Sequence, residues 1–110
     1  MPMSHWMFKA LVSLDQARAG HQDHAYPSEA HGLMVCAGRC NHPSELQYFR
    51  AVIVTDDDQP LVPGDRHSHT VTVTVNGDEP GQFFRPGQHF AVWNGSEIGH
   101  GVVSRRVFFS

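Results

Sequence analysis

Two cysteines and nine histidines are the side chains of this 110-residue chain with the greatest capacity for chemistry. Cys36-x-x-x-Cys40-x-His42 has the look of a metal site, and His67-x-His69 supplies a candidate fourth ligand. Zinc asks for four such groups in a tetrahedron. There is no second cysteine pair, and Cys36 falls in an apolar run where cysteine serves as a small buried hydrophobe. No metal is therefore assigned, and Cys36, Cys40 and His42 remain the ligand candidates of a metal-binding alternative. A thiolate nucleophile at Cys40 would need a histidine base beside it, and nothing in the spacing brings one there. Asp56-Asp57-Asp58 lacks the spaced oxygen ligands of a calcium loop and reads as a solvated turn. Lys9 is the only lysine and has no glycine-rich segment before it, so the phosphate cradle of a nucleotide-binding loop is missing. No cofactor, no GTP binding and no catalytic residue are expected. In Gly99-His100-Gly101 the two glycines suggest a close backbone approach or a bulge that would aim His100 at a partner, or else a barrel corner where only glycine fits.

The elements that must position these groups are strands. Charged residues make up 17% of the chain and hydrophobic ones 40%, a globular composition at single-domain length. The domain is taken as residues 1–110, with residues 1–6 a flexible start. Phe8, Ala10, Val12 and Leu14 alternate with Lys9, Leu11 and Ser13, and Thr70 to Val75 sets valines on one face and threonines on the other. Both have the period of two of a half-buried strand. Residues 31–37 form a second strand. Residues 45–54 fit either a short helix or a strand, and the β-branched Val52-Ile53-Val54 favours the strand. Residues 15–30 have no period and read as a long loop, and Phe83-Phe84 as an apolar anchor. For the last hairpin, a three-residue loop Trp93-Asn94-Gly95 would pair Phe90 with Ile98 and Val92 with Ser96, with Gly95 in the left-handed region. Trp93 would stand at an exposed tip. Six strands with almost no helical period predict an all-β fold, an antiparallel barrel or sandwich.

The order of features resembles the C-terminal (third) domain of translation elongation factor Tu. The likeness is carried by the opening strand Phe8 to Leu14, by Pro63-Gly64-Asp65 before the valine strand, and by Phe90-Ala91-Val92 before a glycine-containing turn. Ile98-Gly99-His100-Gly101-Val102-Val103 completes it, where the family has a similar Gly-x-Gly-Val-Val. It covers nearly the whole chain and is most specific in the C-terminal half. The resemblance implies a six-stranded antiparallel Greek-key barrel. It also implies that the domain does no chemistry, since in the family a separate GTPase domain does it. In the family this barrel grips the acceptor arm of aminoacyl-tRNA. By position the contacts fall on His21, His31, Asn94 and Gly95. Histidines stand at two family arginines and Leu33 at a family glutamine, which removes fixed cations from a phosphate-binding face.

Net charge is −3, with no basic block. That argues against DNA and leaves RNA a weak partner. No apolar run approaches a membrane span, and the start has no signal-peptide pattern, so a cytoplasmic protein without a membrane partner is expected. In the elongation factor this domain packs on two others, so Trp6, Trp93, Phe108 and Phe109 are the candidate interface residues here. The expected role is a non-enzymatic binding module that engages a protein partner or forms a homodimer. An RNA-binding accessory and a small metal-binding protein are the alternatives.

Overall fold

Strict alternation dictates the architecture. Val71, Val73 and Val75 are fully buried, while the threonines between them lie partly exposed. The computed structural model describes residues 5–15, 25–37, 47–64, 68–76 and 83–107. They form β1 (His5–Leu14), β2 (Glu29–Ala37), β3 (Gln47–Thr55), β4 (His69–Asn76), β5 (His89–Trp93) and β6 (Glu97–Arg106), with no helix among them. All pairings are antiparallel, and the order β1-β4-β3-β2-β5-β6 closes into a barrel through β6 and β1. His5 and Trp6 belong to the first strand rather than to a flexible start, because both pair with the end of β4. The ambiguous segment is a strand, and residues 15–30 give up their end to β2, which begins at Glu29. Closure removes every sheet edge.

Inward-facing side chains from all six strands meet in one core. Phe8, Val12, Val35, Ile53, Val71, Val73, Val75 and Val92 are wholly buried. The apolar anchor closes the core at one end. Phe84 stacks on Phe8 at 4.9 Å and meets Phe49 and Phe90 edge-on at 5.3 and 6.0 Å. Offset and edge-on arrangements of this kind suit the ring quadrupoles. The antiparallel pairings set His5, Ala37, Gln47, Asn76, His89 and Arg106 at one end of the barrel, here the lower end. Leu14, Glu29, Thr55, His69, Trp93 and Glu97 lie at the upper end.

Bulges keep the two faces in phase. In β2, Ala30 opposes Ile53 and Leu33 opposes Ala51, so His31 and Gly32 together face one residue of β3. Gly32 takes a φ of 81°, and the extra residue returns Leu33 to the core face beside Ala30.

The last hairpin differs from the expected register. Trp93 pairs with Glu97, so the loop is Asn94-Gly95-Ser96, one residue further on. Ile98 is bulged, Val92 opposes Gly99 and Phe90 opposes Gly101. Gly95 does take the left-handed conformation, with φ 78°. Ile98 still packs against the core, half-buried. The reason for the shift is space. A Cβ on Gly101 would sit 2.5 Å from Cζ of Phe90 and 2.9 Å from the Leu11 carbonyl oxygen, and one on Gly99 would sit 2.4 Å from the Ser13 carbonyl oxygen. The two glycines must face the core opposite Phe90 and Val92 for β6 to lie against β1.

Gly101→Ala and Gly99→Ala should therefore each destabilise the fold by about 1–3 kcal/mol, the usual penalty for overpacking a filled core. Urea denaturation of each variant checks this. Unchanged midpoints would show that the seam between β6 and β1 has room to spare.

A candidate interaction surface on the outside of the barrel

Closure with a full core leaves functional groups to the outer wall and the loops. On β2, Met34 and Cys36 point outward between the inward-facing Leu33, Val35 and Ala37. Tyr48 of β3 pairs across from Cys36, and Trp93 of β5 pairs across from Met34. The Tyr48 and Trp93 rings meet edge-on at 5.5 Å. Beneath them Cys36, though on the outer face, is only 6% exposed. Met34 is 36% exposed and Tyr48 46% exposed, so the patch presents a thioether and an aromatic ring to solvent. The Trp93 indole N–H is buried and finds no acceptor among the described residues.

The Tyr48 hydroxyl is held above its ordinary pKa of 10.0, first because it is desolvated and then because of the neighbouring Cys36 thiol, with which it shares a hydrogen bond. Both causes favour the neutral phenol.

The tryptophan expected at a hairpin tip is thus the last residue of β5, half-buried against Tyr48. Trp6 lies at the lower end, partly packed on the core, with the Arg106 guanidinium 5.1 Å from its ring centre. Phe108 and Phe109 lie outside the described residues. Trp6 and Trp93 occupy opposite ends and do not form one patch. No sequence signal joins Met34, Tyr48 and Trp93, since the other outward positions of their strands include Cys36, Val52, Val54 and Ala91. That they adjoin depends on β2 pairing with both β3 and β5.

Of the positions aligned with tRNA contacts, His31, Asn94 and Gly95 come together at the upper end, and His21 lies outside the described residues. His31 Nε2 is 3.3 Å from Glu29 Oε2. Asn94 donates its side-chain N–H to the Tyr26 hydroxyl at 3.1 Å, and Tyr26 is bridged to Leu61, so the tip is tied to the neighbouring loop. Every described carboxylate, from Asp15, Glu29, Asp56, Asp57, Asp58 and Glu97, lies at this same end. A phosphate backbone approaching it would meet negative charge. Arg50, Arg105 and Arg106 lie toward the lower end, but Arg50 is on β3 and the pair is on β6, strands that stand across the barrel from each other there. They do not make one basic face.

Cys40, His42 and His67 lie outside the described residues. Among the described residues no three His, Cys, Asp or Glu side chains gather around a common point. One grouping escapes sequence reading because it joins β1 and the residue after it to β6. Ser13 pairs across from His100, whose Nδ1 is 3.5 Å from Asp15 Oδ1. This has the residue types of a nucleophilic triad. However, the Ser13 hydroxyl is engaged with that of Ser68 at 2.9 Å, and His100 and Asp15 side chains are 66% and 51% exposed. A base that does not hold the nucleophile's proton, in open water, does not activate it.

Comparison with family models, curated proteins and solved structures finds no match. No helix among the described residues is long and apolar enough to cross a membrane.

Because the folded pKa of Tyr48 is raised, its contribution to stability is intact below pH 10.0 and is lost as pH climbs through the raised value. Ultraviolet titration of the folded protein should show one phenol ionising above 10.0, and Cys36→Ala should lower that value only in part, since desolvation is the larger cause. A Tyr48 phenol, assigned with Tyr48→Phe, that ionises at 10.0 or below would contradict the described contact.

Proposed function

We propose that this chain is a non-enzymatic binding module of the kind represented by the third domain of elongation factor Tu, and that it works through a protein–protein contact on its outer wall. The observation that carries the reading is the exposed Met34–Tyr48–Trp93 surface across β3, β2 and β5. Methionine, tyrosine and tryptophan are enriched where proteins meet, and truncating tyrosine or tryptophan at a contact costs more affinity than truncating most others. They sit on a rigid, closed sheet that loses little freedom on docking.

The closed six-stranded barrel is the fold that the elongation-factor resemblance implies. The resemblance also implies an RNA-binding mode, and the charge distribution argues against that mode here. Positions that hold arginine in the family are His31 and the neighbourhood of His21, and the upper end is ringed by carboxylates.

Filter binding of aminoacylated and bare tRNA, at physiological salt and neutral pH, separates the two readings. The expected result is weak binding with a shallow salt dependence, because few phosphates are neutralised. His31→Arg should then strengthen it. Submicromolar, steeply salt-dependent binding by the unaltered chain would put RNA recognition in first place. Co-purification from native lysate, with and without ribonuclease, should retain the same partners in both cases.

A further inference from the structure

The outer wall around Met34 carries a row of residues complementary to its own reverse. Arg50 of β3 pairs with Met34 of β2, Met34 with Trp93 of β5, and Trp93 with Glu97 of β6. These four residues form one continuous row across the wall, reading cation, apolar, apolar, anion. Barrel strands tilt by about 35–45° from the barrel axis. The row therefore climbs as it crosses, from Arg50 toward the lower end to Glu97 at the upper. It winds around less of the barrel than four strands would if they stood upright. Neither flanking charge has an ion-pair or hydrogen-bond partner among the described residues, and both are exposed. At a strand spacing of about 4.8 Å they are roughly 14 Å apart along the row, too far to pair within one chain.

We propose that this chain forms a homodimer through the β3-β2-β5-β6 wall, about a two-fold axis that runs parallel to the strands between β2 and β5. The proposal rests on the binding-module reading and names its partner. Rotation about that axis reverses the row. It lays Met34 of one copy over Trp93 of the other, and Arg50 of each over Glu97 of its mate. A two-fold contact requires self-complementarity of this kind. The adjacent row obeys the same operation. Tyr48 pairs with Cys36, Cys36 with Ala91 and Ala91 with His100. Reversed, the small Cys36 and Ala91 fall together at the centre, and each Tyr48 ring falls over a His100 imidazole.

The alternative two-fold axis, running along the row, would set Arg50 against Arg50 and Glu97 against Glu97. Repulsion at both flanks disfavours it. Curvature accounts for the order of residue sizes. Two convex barrel walls touch at their midlines and diverge outward. Only long side chains can bridge the gap at the edges, and arginine and glutamate stand there. The charges then set the register of the docking while the apolar centre supplies its affinity.

Sedimentation equilibrium of the full chain over a range of concentrations tests this. The unaltered protein should associate to a dimer. Arg50→Glu and Glu97→Arg should each weaken the dimer by about 10- to 100-fold, since each creates two like-charge contacts. Both positions are exposed, so the folds should survive, which circular dichroism verifies. Two results then identify this axis. The double variant carrying both changes should regain dimerisation. So should an equimolar mixture of the two single variants, because every facing pair in the mixed dimer again joins opposite charges. A dimer indifferent to these changes, or one weakened singly but not rescued in the double variant and the mixture, would overturn the proposed contact. A monomer at all concentrations would overturn the homodimer. If that monomer still retained a partner lost on Trp93→Ala, the binding-module reading would stand without it. If Trp93→Ala left all partners in place, both readings would fall.

Discussion

The structure depends on the seam where β6 lies between β1 and β5. A sheet of six short strands can close only if its last strand comes within hydrogen-bonding distance of its first while the core between them is already full. Gly99 and Gly101 solve this by having no side chain. The Phe90 ring occupies the volume in front of Gly101, and the carbonyls of Ser13 and Leu11 close in behind the two glycines. Both residues that flank Gly99 in β6 are displaced outward or into the bulge, His100 toward solvent and Ile98 to the barrel's rim. The phenylalanine cluster then follows. With Phe90 anchored over the glycines, Phe8 meets it edge-on at 5.7 Å and Phe84 plugs the lower end.

Closure also decides where function can reside. The interior of a small barrel is just wide enough for its own side chains, and here valines and phenylalanines fill it. What remains is its outer wall and the loops at its two ends. The wall is mostly polar on the β4 side, where Lys9 bridges to Asp56 at 2.8 Å and to the Thr72 hydroxyl. It is apolar on the β2 side, where Met34, Tyr48 and Trp93 cluster. The exposed Leu11, opposite Thr70 of β4, is the apolar exception on the β4 side.

Among the described residues, carboxylates occur where the chain turns after β1 and β3 and at the starts of β2 and β6, all at the upper end. His31, Asn94 and Gly95 lie at the same end. Strand order and surface charge are specified by different residues, the first by the inward-facing positions and the second by the outward ones and the turns.

Much of the architecture was legible in the residues themselves. The alternation in Thr70 to Val75 and Phe8 to Leu14 determined strands with a defined inner face, since side chains on a strand point to opposite sides in turn. The β-branched Val52-Ile53-Val54 decided a third, and paired glycines announced a close approach in β6. The left-handed turn residue Gly95 was readable for the same local reason. Register was not. Whether Phe90 faces Ile98 or Gly101 depends on which partner leaves room for its ring beside β1, a strand far away in the chain, and a bulge shifts the answer. The outer patch was equally illegible, because Met34, Tyr48 and Trp93 belong to three strands whose adjacency arises only when the sheet closes in the order β3-β2-β5. Local pattern determines what each strand is; the packing of the closed barrel alone decides which strands, and therefore which side chains, stand together.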